Sequence, residues 1–325
     1  MLIPIIMLIV GFALLIKGGD WFVDGASGIA RRFRLPEILI GATVVSIGTT
    51  LPEVMVSAGA AFQGSGSIAY GNAIGSIICN TALISAITIA LKPGKAERKS
   101  MIIPVVAFFL AAAVYCFVAY VTGTFSRPIG LILLAMFVVY MVITVARMKK
   151  GTSSQSDDAQ HNEEENQGGS LLKDIILLVI GAVLIAFGAD FLVDNAIIIA
   201  EKVGVSQKVI GLTIVALGTS LPEFVTAITS LIKGHGSLSL GNIIGANLFN
   251  LVLVSGAAIT ISPFDLPSSG LIGGINSSLV LDIPVMLTVM AILTVPTLIK
   301  QKLSRWQGIA LLGIYAAFCI MQFTI

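Results

Sequence analysis

Ten apolar runs, each about as long as a membrane-crossing helix, constrain this chain more than any other feature of its sequence. A transmembrane helix needs about 20 predominantly apolar residues, and runs of that length recur along the whole chain. They cover approximately residues 2–30, 38–62, 67–91, 101–121, 127–148, 172–200, 208–232, 237–261, 275–299 and 305–324. The sequence therefore predicts an all-α integral membrane protein with ten transmembrane helices.

Composition excludes several other classes of protein. Of the 325 residues, 56% are hydrophobic and 11% are charged, whereas soluble domains carry about 25% charged residues. A net charge of +2 provides no basic surface for a nucleic acid. The three cysteines lie in apolar runs without metal-type spacing and the two histidines fall in loops, so we expect no cofactor, no histidine-based metal site and no enzyme. The first run is too long for a signal peptide and is expected to remain as a helix.

Basic residues are distributed unequally between alternate loops. If the N-terminus is placed outside, fifteen of the 19 Lys and Arg residues fall in inner loops and three in outer loops, while Lys17 lies within the first run. Because cytoplasmic loops carry an excess of Lys and Arg, this asymmetry predicts that both termini lie outside. We expect a multi-pass protein of the plasma membrane.

An internal repeat divides the chain into two halves. The polar segment KKGTSSQSDDAQHNEEENQGGS at 149–170 is predicted to be a disordered cytoplasmic linker between a first repeat at 1–148 and a second at 171–325. At an offset of 170, GGDWFVDGA (18–26) aligns with GADFLVDNA (188–196), and IGATVVSIGTTLPE (40–53) with IGLTIVALGTSLPE (210–223). The stretch GNAIGSIICN (71–80) aligns likewise with GNIIGANLFN (241–250).

The number of runs in each half fixes the relation between the halves. Each half has five runs, so equivalent helices cross the membrane in opposite directions. Two related halves in opposite orientation are typical of secondary transporters, whose substrate sites lie near the midplane at helices interrupted by Gly or Pro. The second and seventh runs fit that description. We therefore predict two inverted five-helix repeats.

The LPE motif in each half contains a helix breaker. Pro52 has no N–H group, so the carbonyl of Gly48 loses its helical partner, and Pro222 does the same to Gly218. We expect the helix to open at both prolines. Irregular backbone at membrane depth is tolerated where it lines a cavity, and the freed carbonyls are oxygen ligands.

The acid of each motif lies deep in its apolar run. Glu53 and Glu223 are about fifteen residues from the start of their runs, near the bilayer centre, where a carboxylate costs ~2.5–3.5 kcal/mol. No Lys or Arg is repeated between the halves to compensate both charges. A bound cation would do so; a structural pair of protonated or hydrogen-bonded acids is the alternative.

Further oxygen donors surround the two motifs. Hydroxyl and amide side chains without any thiolate or imidazole suit Ca²⁺, and also Na⁺, better than zinc or copper. The set consists of Thr49, Thr50, Thr219, Ser220, Ser76, Asn72, Asn80, Asn242 and Asn250. For the asparagines, hydrogen bonding between helices is the rival interpretation, and it applies most to Asn72 and Asn242.

The paired motifs resemble the two alpha-repeats of the cation/calcium exchanger superfamily, and the prokaryotic sodium/calcium exchanger branch in particular. The resemblance rests on GTTLPE with GNAIGSIICN, in the segment 40–80, and on GTSLPE with GNIIGANLFN, in the segment 210–250. It covers nearly the whole chain. It implies that the first and sixth helices slide against the remaining bundle to give alternating access.

The resemblance also implies a set of ion ligands. The motif glutamates would bind calcium, and hydroxyl, carbonyl and amide oxygens would complete the calcium and sodium sites. The residues implied are Glu53, Glu223, Thr49, Thr50, Thr219, Ser220, Ser76, Asn80 and Asn250. Two positions depart from the family pattern: Ala246 replaces a common Ser, and Asn250 replaces an Asp found in some relatives. The calcium assignment survives these changes, whereas the coupling ion and its number stay open.

The sequence thus predicts an antiporter that exchanges Ca²⁺ for Na⁺. A proton/calcium exchanger, in which the glutamates are protonated instead of binding sodium, is the first alternative. A cation channel and an intramembrane hydrolase with paired acids are further alternatives. The sequence gives no oligomeric state.

Overall fold

The computed structural model describes residues 2–154, 170–202, 216–268 and 270–324. These residues form ten helical segments, of which the seventh is in two parts. They are α1 (Leu2–Arg32), α2 (Glu37–Phe62), α3 (Gly66–Leu91), α4 (Arg98–Thr122), α5 (Arg127–Ser154), α6 (Leu171–Lys202), α7a (Ala216–Thr219) with α7b (Leu221–Ile232), α8 (Gly236–Ile261), α9 (Ser278–Lys300) and α10 (Arg305–Thr324).

Eight of these segments are long and apolar enough to cross a membrane, and the fold is that of a mostly helical, multi-pass membrane protein. The remaining two are α7, of which the described apolar part is the 12-residue α7b, and the 20-residue α10. Helix α5 continues to Ser154, into the segment predicted to be a linker. The rest of that segment, apart from residue 170, lies outside the described residues.

Contacts between loops agree with the alternation of the runs. Strand β1 (Thr124–Phe125) follows α4 and pairs antiparallel with β2 (Phe264–Asp265), which follows α8. The same α8–α9 connection forms a hairpin from β3 (Leu271–Ile272) and β4 (Ile275–Asn276). On the opposite face, Lys95 before α4 forms a bridge with Lys302 before α10. Loops predicted to share a side therefore contact one another.

Helices α1 and α6 pack side by side and antiparallel. A methyl group at Gly11 would lie 2.9 Å from the carbonyl oxygen of Gly188, and one at Gly18 would lie 2.9 Å from that of Gly181. Because Gly188 and Gly181 are the repeat equivalents of Gly18 and Gly11, the contact is symmetric about a two-fold axis. Small residues are what allow helix backbones to approach this closely within a membrane.

The core lies away from this pair. Helices α3, α4, α8 and α9 contribute most of the large buried cluster, and α8 is the most completely buried of the spans. Helices α1 and α6 instead expose many large apolar side chains. Such exposure is expected where lipid, and not water, is the solvent. The fold therefore consists of a buried bundle with a peripheral two-helix pair.

Within the described residues, five short π-helical segments lie in the helices, and two of them are repeat equivalents. Asn80–Ser85 lies in α3 and Asn250–Val254 in α8. The others are Gly41–Val45 in α2, Val118–Thr122 in α4 and Ser278–Asp282 in α9. π-Helical turns are rare and are found frequently at functional sites.

The expected mirror-image helix break is present in one half only. The second half breaks at Ser220, which has non-helical backbone angles, so that Pro222 occupies the first turn of α7b. The expectation for Pro52 was wrong, because the segment Ser46–Phe62 is a continuous α-helix through the proline. A proline without its N–H still leaves the carbonyl four residues earlier unpaired within the helix, so the helix is uninterrupted although one hydrogen bond is missing.

Candidate cation site

The two motif glutamates lie together in the centre of the bundle. Glu53 of α2 and Glu223 of α7b both have 0% exposed surface, and their carboxyl groups are close enough to interact electrostatically. Thr50 Oγ1 donates a long hydrogen bond of 3.5 Å to Glu223 Oε1. Side chains from the two repeats therefore contribute to one site.

Many polar atoms around these glutamates are buried without a hydrogen-bond partner. Native proteins leave few such atoms, because each costs about 1–3 kcal/mol. Among the described residues, the atoms without a partner include both carboxylate oxygens of Glu53, Oε2 of Glu223, Oγ of Ser220 and the side-chain amides of Asn80 and Asn250. Every oxygen in this set is a hard donor of the kind that Ca²⁺ and Na⁺ accept. The residues present thus fit a cation.

Helix distortions position these side chains. Asn80 and Asn250 each begin a π-helical turn at the same position of their repeat. The break at Ser220 places Glu223 in the first turn of α7b, where a helix N-terminus favours negative charge. The local irregularities therefore coincide with the motif residues.

The two LPE motifs also meet at their prolines. A small void of about 10 Å³ is lined by Gly48, Thr49 and Pro52 from one half and by Pro222 from the other. The ring of Phe22 on α1 covers Gly48, since a methyl group at this glycine would lie 3.1 Å from the ring. The peripheral pair of helices therefore lies directly over the motif backbone.

Asn242 connects α8 to α2 by hydrogen bonds. Its side-chain oxygen accepts from Thr49 Oγ1 at 3.2 Å and from Ser46 Oγ at 3.3 Å. Its repeat equivalent, Asn72, donates to the carbonyl oxygen of Glu53 at 3.2 Å and to Ser57 Oγ at 2.9 Å. Both asparagines make contacts between helices, in keeping with the interpretation that the sequence favoured for them.

Ser76 and Thr219 line a larger cavity. This cavity, here called the outer cavity, has a volume of about 570 Å³ and extends along α3 to Pro267 and Ser268 in the α8–α9 connection. Helices α9 and α10 complete its walls. The predicted ligands thus divide into a fully buried group around the glutamates and two residues that face the cavity.

One polar cluster next to the site escaped prediction from sequence. Asn247 donates to Thr81 Oγ1 at 2.6 Å and to the sulfur of Met290 at 3.1 Å, while its own side-chain oxygen has no partner. Thr226 Oγ1, one turn after Glu223, is also buried without a partner. Neither Asn247 nor Thr81 is repeated in the other half, so a search for repeated polar residues does not find them.

A comparison with known protein families agrees with this arrangement. The family model described as sodium/calcium exchanger protein matches residues 3–146 and again residues 173–324. The chain belongs to the sodium/calcium exchanger family. The two matched segments correspond closely to the two halves of this exchanger.

Individual relatives cover most of the exchanger's length. Sodium/calcium exchanger MaX1 of Methanosarcina acetivorans is 33% identical over 98% of both chains. Putative antiporter CaxA of Alkalimonas amylolytica is 36% identical, covering 81% of this chain and 82% of its own. Inner membrane protein YrbG of Escherichia coli strain K12 is 35% identical over 81% of both chains.

A solved structure shares the fold. The sodium-calcium exchanger NCX_Mj, studied after soaking with Na⁺ and Sr²⁺, superposes with a TM-score of 0.78 at 30% identity, over 97% of both chains. The same protein soaked with Na⁺ and Ca²⁺ gives a TM-score of 0.77. Membership of a transporter family supports cation/calcium exchange, and not an enzymatic reaction, as the activity of this exchanger.

Proposed function

We propose that this exchanger moves Ca²⁺ across the plasma membrane in one direction and Na⁺ in the other, and that both ions bind at Glu53 and Glu223. The observation that carries the proposal is the pair of fully buried carboxylates, among which three of the four oxygens lack a hydrogen-bond partner. Buried charges are stable only when they are compensated. Because the two charges must always be compensated, one cation is released only when another replaces it, and this requirement produces exchange.

The empty site resists closure because it carries negative charge that would be removed from water. One Ca²⁺ ion, or at least two Na⁺ ions, neutralises two carboxylates. Binding of either Ca²⁺ or Na⁺ permits the change between outward-facing and inward-facing conformations. The ion-free protein remains in the conformation that it already has. The two ions thus compete for one site, and Na⁺ entering down its gradient expels Ca²⁺.

The remaining ligands complete the site in this proposal. Besides the glutamates, hydroxyl and amide oxygens replace the hydration shells of the ions. We assign this role to Thr49, Thr50, Thr219, Ser220, Ser76, Asn80 and Asn250. Burial and missing partners support the assignment for Ser220, Asn80 and Asn250, and the position at the outer cavity supports it for Ser76 and Thr219.

Access to the site alternates in this proposal through movement of α1 and α6. These helices lie at the periphery, pack mainly on each other, and cover the motif glycine Gly48. The symmetric antiparallel contact between them and the double match of the family model support two inverted repeats. We further propose that both termini lie outside, as the distribution of basic residues predicts.

Calcium flux into vesicles tests the proposal directly. The purified exchanger is reconstituted, and uptake of radioactive Ca²⁺ is measured with Na⁺, K⁺ or acid inside. We expect uptake with internal Na⁺ only. Uptake driven by internal acid would establish the proton/calcium alternative, and efflux of Ca²⁺ that needs no counter-ion would establish a channel.

Two substitutions test the assigned ligands. Glu53→Gln and Glu223→Gln each remove one charge with little change of shape and are expected to abolish exchange. Glu97→Gln is the matched control, because Glu97 is exposed before α4 and, among the described residues, its carboxylate accepts a hydrogen bond from Ser100 Oγ alone. Wild-type exchange in both site variants would contradict the proposal.

A further inference from the structure

The buried bundle contains an acid that lies apart from the two glutamates. Asp282 is the last residue of the π-helical turn Ser278–Asp282 at the start of α9. It is only 7% exposed and lines the outer cavity. When DIPV (282–285) is aligned with IIPV (102–105), which requires ten inserted residues in the second half, its counterpart is Ile102, so the repeat does not explain it. Ionisable residues within membrane spans are costly and mark functional positions.

The hydrogen bonds of Asp282 leave its charge uncompensated. Gln322 Nε2 donates to Oδ1 at 2.7 Å and Ser278 Oγ donates to Oδ2 at 2.9 Å. Both donors are neutral. Among the described residues, no Lys, Arg or His forms an ion pair with this carboxylate. A carboxylate offers about four acceptor positions, so two hydrogen bonds do not exhaust it.

A second observation points to a ligand at the same place. Tyr70 of α3 is 5% exposed, lines the outer cavity and has a buried hydroxyl with no hydrogen-bond partner within 3.5 Å among the described residues. Its polar neighbours include Asp282 and Ser278, the two other members of this cluster. The ring of Tyr70 is held against Tyr115 with their centroids 6.4 Å apart. An orphaned hydroxyl and an uncompensated carboxylate therefore face the same space.

We propose that Asp282, Ser278 and Tyr70 form a cation subsite in the outer cavity, which holds a Ca²⁺ ion before it moves inward past Ser76. The donors are hard oxygens, as Ca²⁺ requires. An acid in a cavity with apolar walls raises the local concentration of cations, and the effect is larger for a divalent ion than for Na⁺. The subsite rests on the proposed transport of Ca²⁺ through this cavity.

The first test is the dependence of exchange on Ca²⁺ added to the cavity side of oriented vesicles. In Asp282→Asn, the half-saturating Ca²⁺ concentration on that side should rise about tenfold, while the value on the other side stays unchanged. Choline chloride, an inert salt, should raise the half-saturating Ca²⁺ concentration of the wild type by screening the charge of Asp282. The same salt should raise that concentration less in Asp282→Asn. The asparagine oxygen can still accept from Gln322, and its amide nitrogen can donate to Ser278 Oγ in place of the bond that Ser278 donates to Asp282, so the variant removes charge and not packing.

Asp265→Asn is the matched control. Asp265 lies in β2 on the same face, is exposed, and accepts a hydrogen bond of 2.6 Å from Thr124 Oγ1. It does not line the outer cavity. An equal increase of the half-saturating Ca²⁺ concentration in both variants would show that the effect comes from the overall surface charge, and not from a subsite at Asp282. No change in Asp282→Asn would overturn the proposal outright.

The second test measures binding without transport. Tb³⁺ serves as a luminescent substitute for Ca²⁺ and is excited through Tyr70. In a Glu53→Gln/Glu223→Gln background, Tb³⁺ emission that Ca²⁺ displaces should persist, and adding Asp282→Asn should remove it. Emission unchanged by Asp282→Asn would overturn the subsite. Because the glutamates are absent from both proteins, this result is independent of whether they carry transport.

Discussion

The two halves of the exchanger contain the same glycine motif but pack it differently. At one crossing, here called the closed crossing, a methyl group on Gly241 of α8 would collide with the backbone of Ile38 in α2. At the equivalent position of the other half, here called the open crossing, Gly71 of α3 is exposed and lines the outer cavity. Gly245 is likewise packed against Ala42, whereas Gly75 lines the cavity.

This difference teaches that the motif supports two packing states. The residues of α2 that face Gly241 and Gly245 include Ile38 and Ala42, whereas their repeat equivalents are Lys208 and Leu212, which lie outside the described residues. The closed crossing lies toward Glu37 and His235, on the face predicted to be inside, and the outer cavity lies along the open one. In an exchanger with alternating access, we expect this arrangement to reverse.

Adding one methyl group at each crossing is the strongest test of whether the two crossings differ in packing. Gly241→Ala should destabilise the protein by about 1–3 kcal/mol, because a helix backbone cannot yield as a flexible side chain does. Gly71→Ala should leave stability unchanged. Thermal unfolding of both variants in detergent measures the effect.

Exchange measured on the same pair sharpens the result. If the open crossing closes during transport, Gly71→Ala should slow exchange although it does not lower the unfolding temperature. A variant with normal stability and normal exchange would show that this crossing never closes. Equal destabilisation by both substitutions would show that the two crossings do not differ.

Thiol labelling compares the same two regions in the membrane. Ser76 faces the outer cavity, whereas its equivalent Ala246 has no exposed surface. In a variant without the three native cysteines, Ser76→Cys should react with an impermeant methanethiosulfonate from the cavity side, and Ala246→Cys should stay unlabelled. Labelling of position 246 from that side would contradict the assignment of the closed crossing.

Repetition made the central residues of the site predictable. Glu53, Glu223, Asn80 and Asn250 were found because they recur at one offset in apolar surroundings, and all four are fully buried. A polar group repeated in both halves of a membrane protein has a cost that only a shared role explains. The family, the helical fold and these positions therefore followed from the sequence. Whether the four residues bind ions stays a prediction.

Features present in one half only were not predictable in this way. Asn247 and Asp282 have apolar counterparts, and their roles depend on tertiary contacts with residues far along the chain. The continuous helix through Pro52 and the break at Ser220 likewise differ although both halves read LPE. A proline removes one helical hydrogen bond wherever it occurs. The packing around the proline decides whether the helix also breaks there.

The paired asparagines offer a smaller test of the comparison. Asn242 at the closed crossing accepts hydrogen bonds from two hydroxyls, and its removal would take one buried acceptor from each of Thr49 and Ser46. Asn242→Ala should cost about 1–3 kcal/mol. Asn72→Ala at the open crossing should cost about 0.5–1.5 kcal/mol, because Asn72 is only half-buried and water from the cavity can replace it. Unfolding temperatures in detergent rank the two variants, and the reverse order would contradict the comparison.

The smallest expected effect concerns ion pairs on the face where the closed crossing lies, here called the closed face. Lys233, at the end of α7b, contacts Asp24 at 2.8 Å and Asp20 at 3.3 Å on α1, and the pairs Arg32–Asp174 and Glu37–His235 lie on the same face. Lys233→Met should lower stability by about 0.2–1 kcal/mol, because the partners are partly exposed to water. About 1 M salt should remove the difference from wild type, since screening then acts within about 3 Å.

Lys302→Met, which removes a nearby lysine outside these pairs, is the control. A loss that salt does not change would show that Lys233 contributes packing along its aliphatic stem, and that charge does not hold the closed face together.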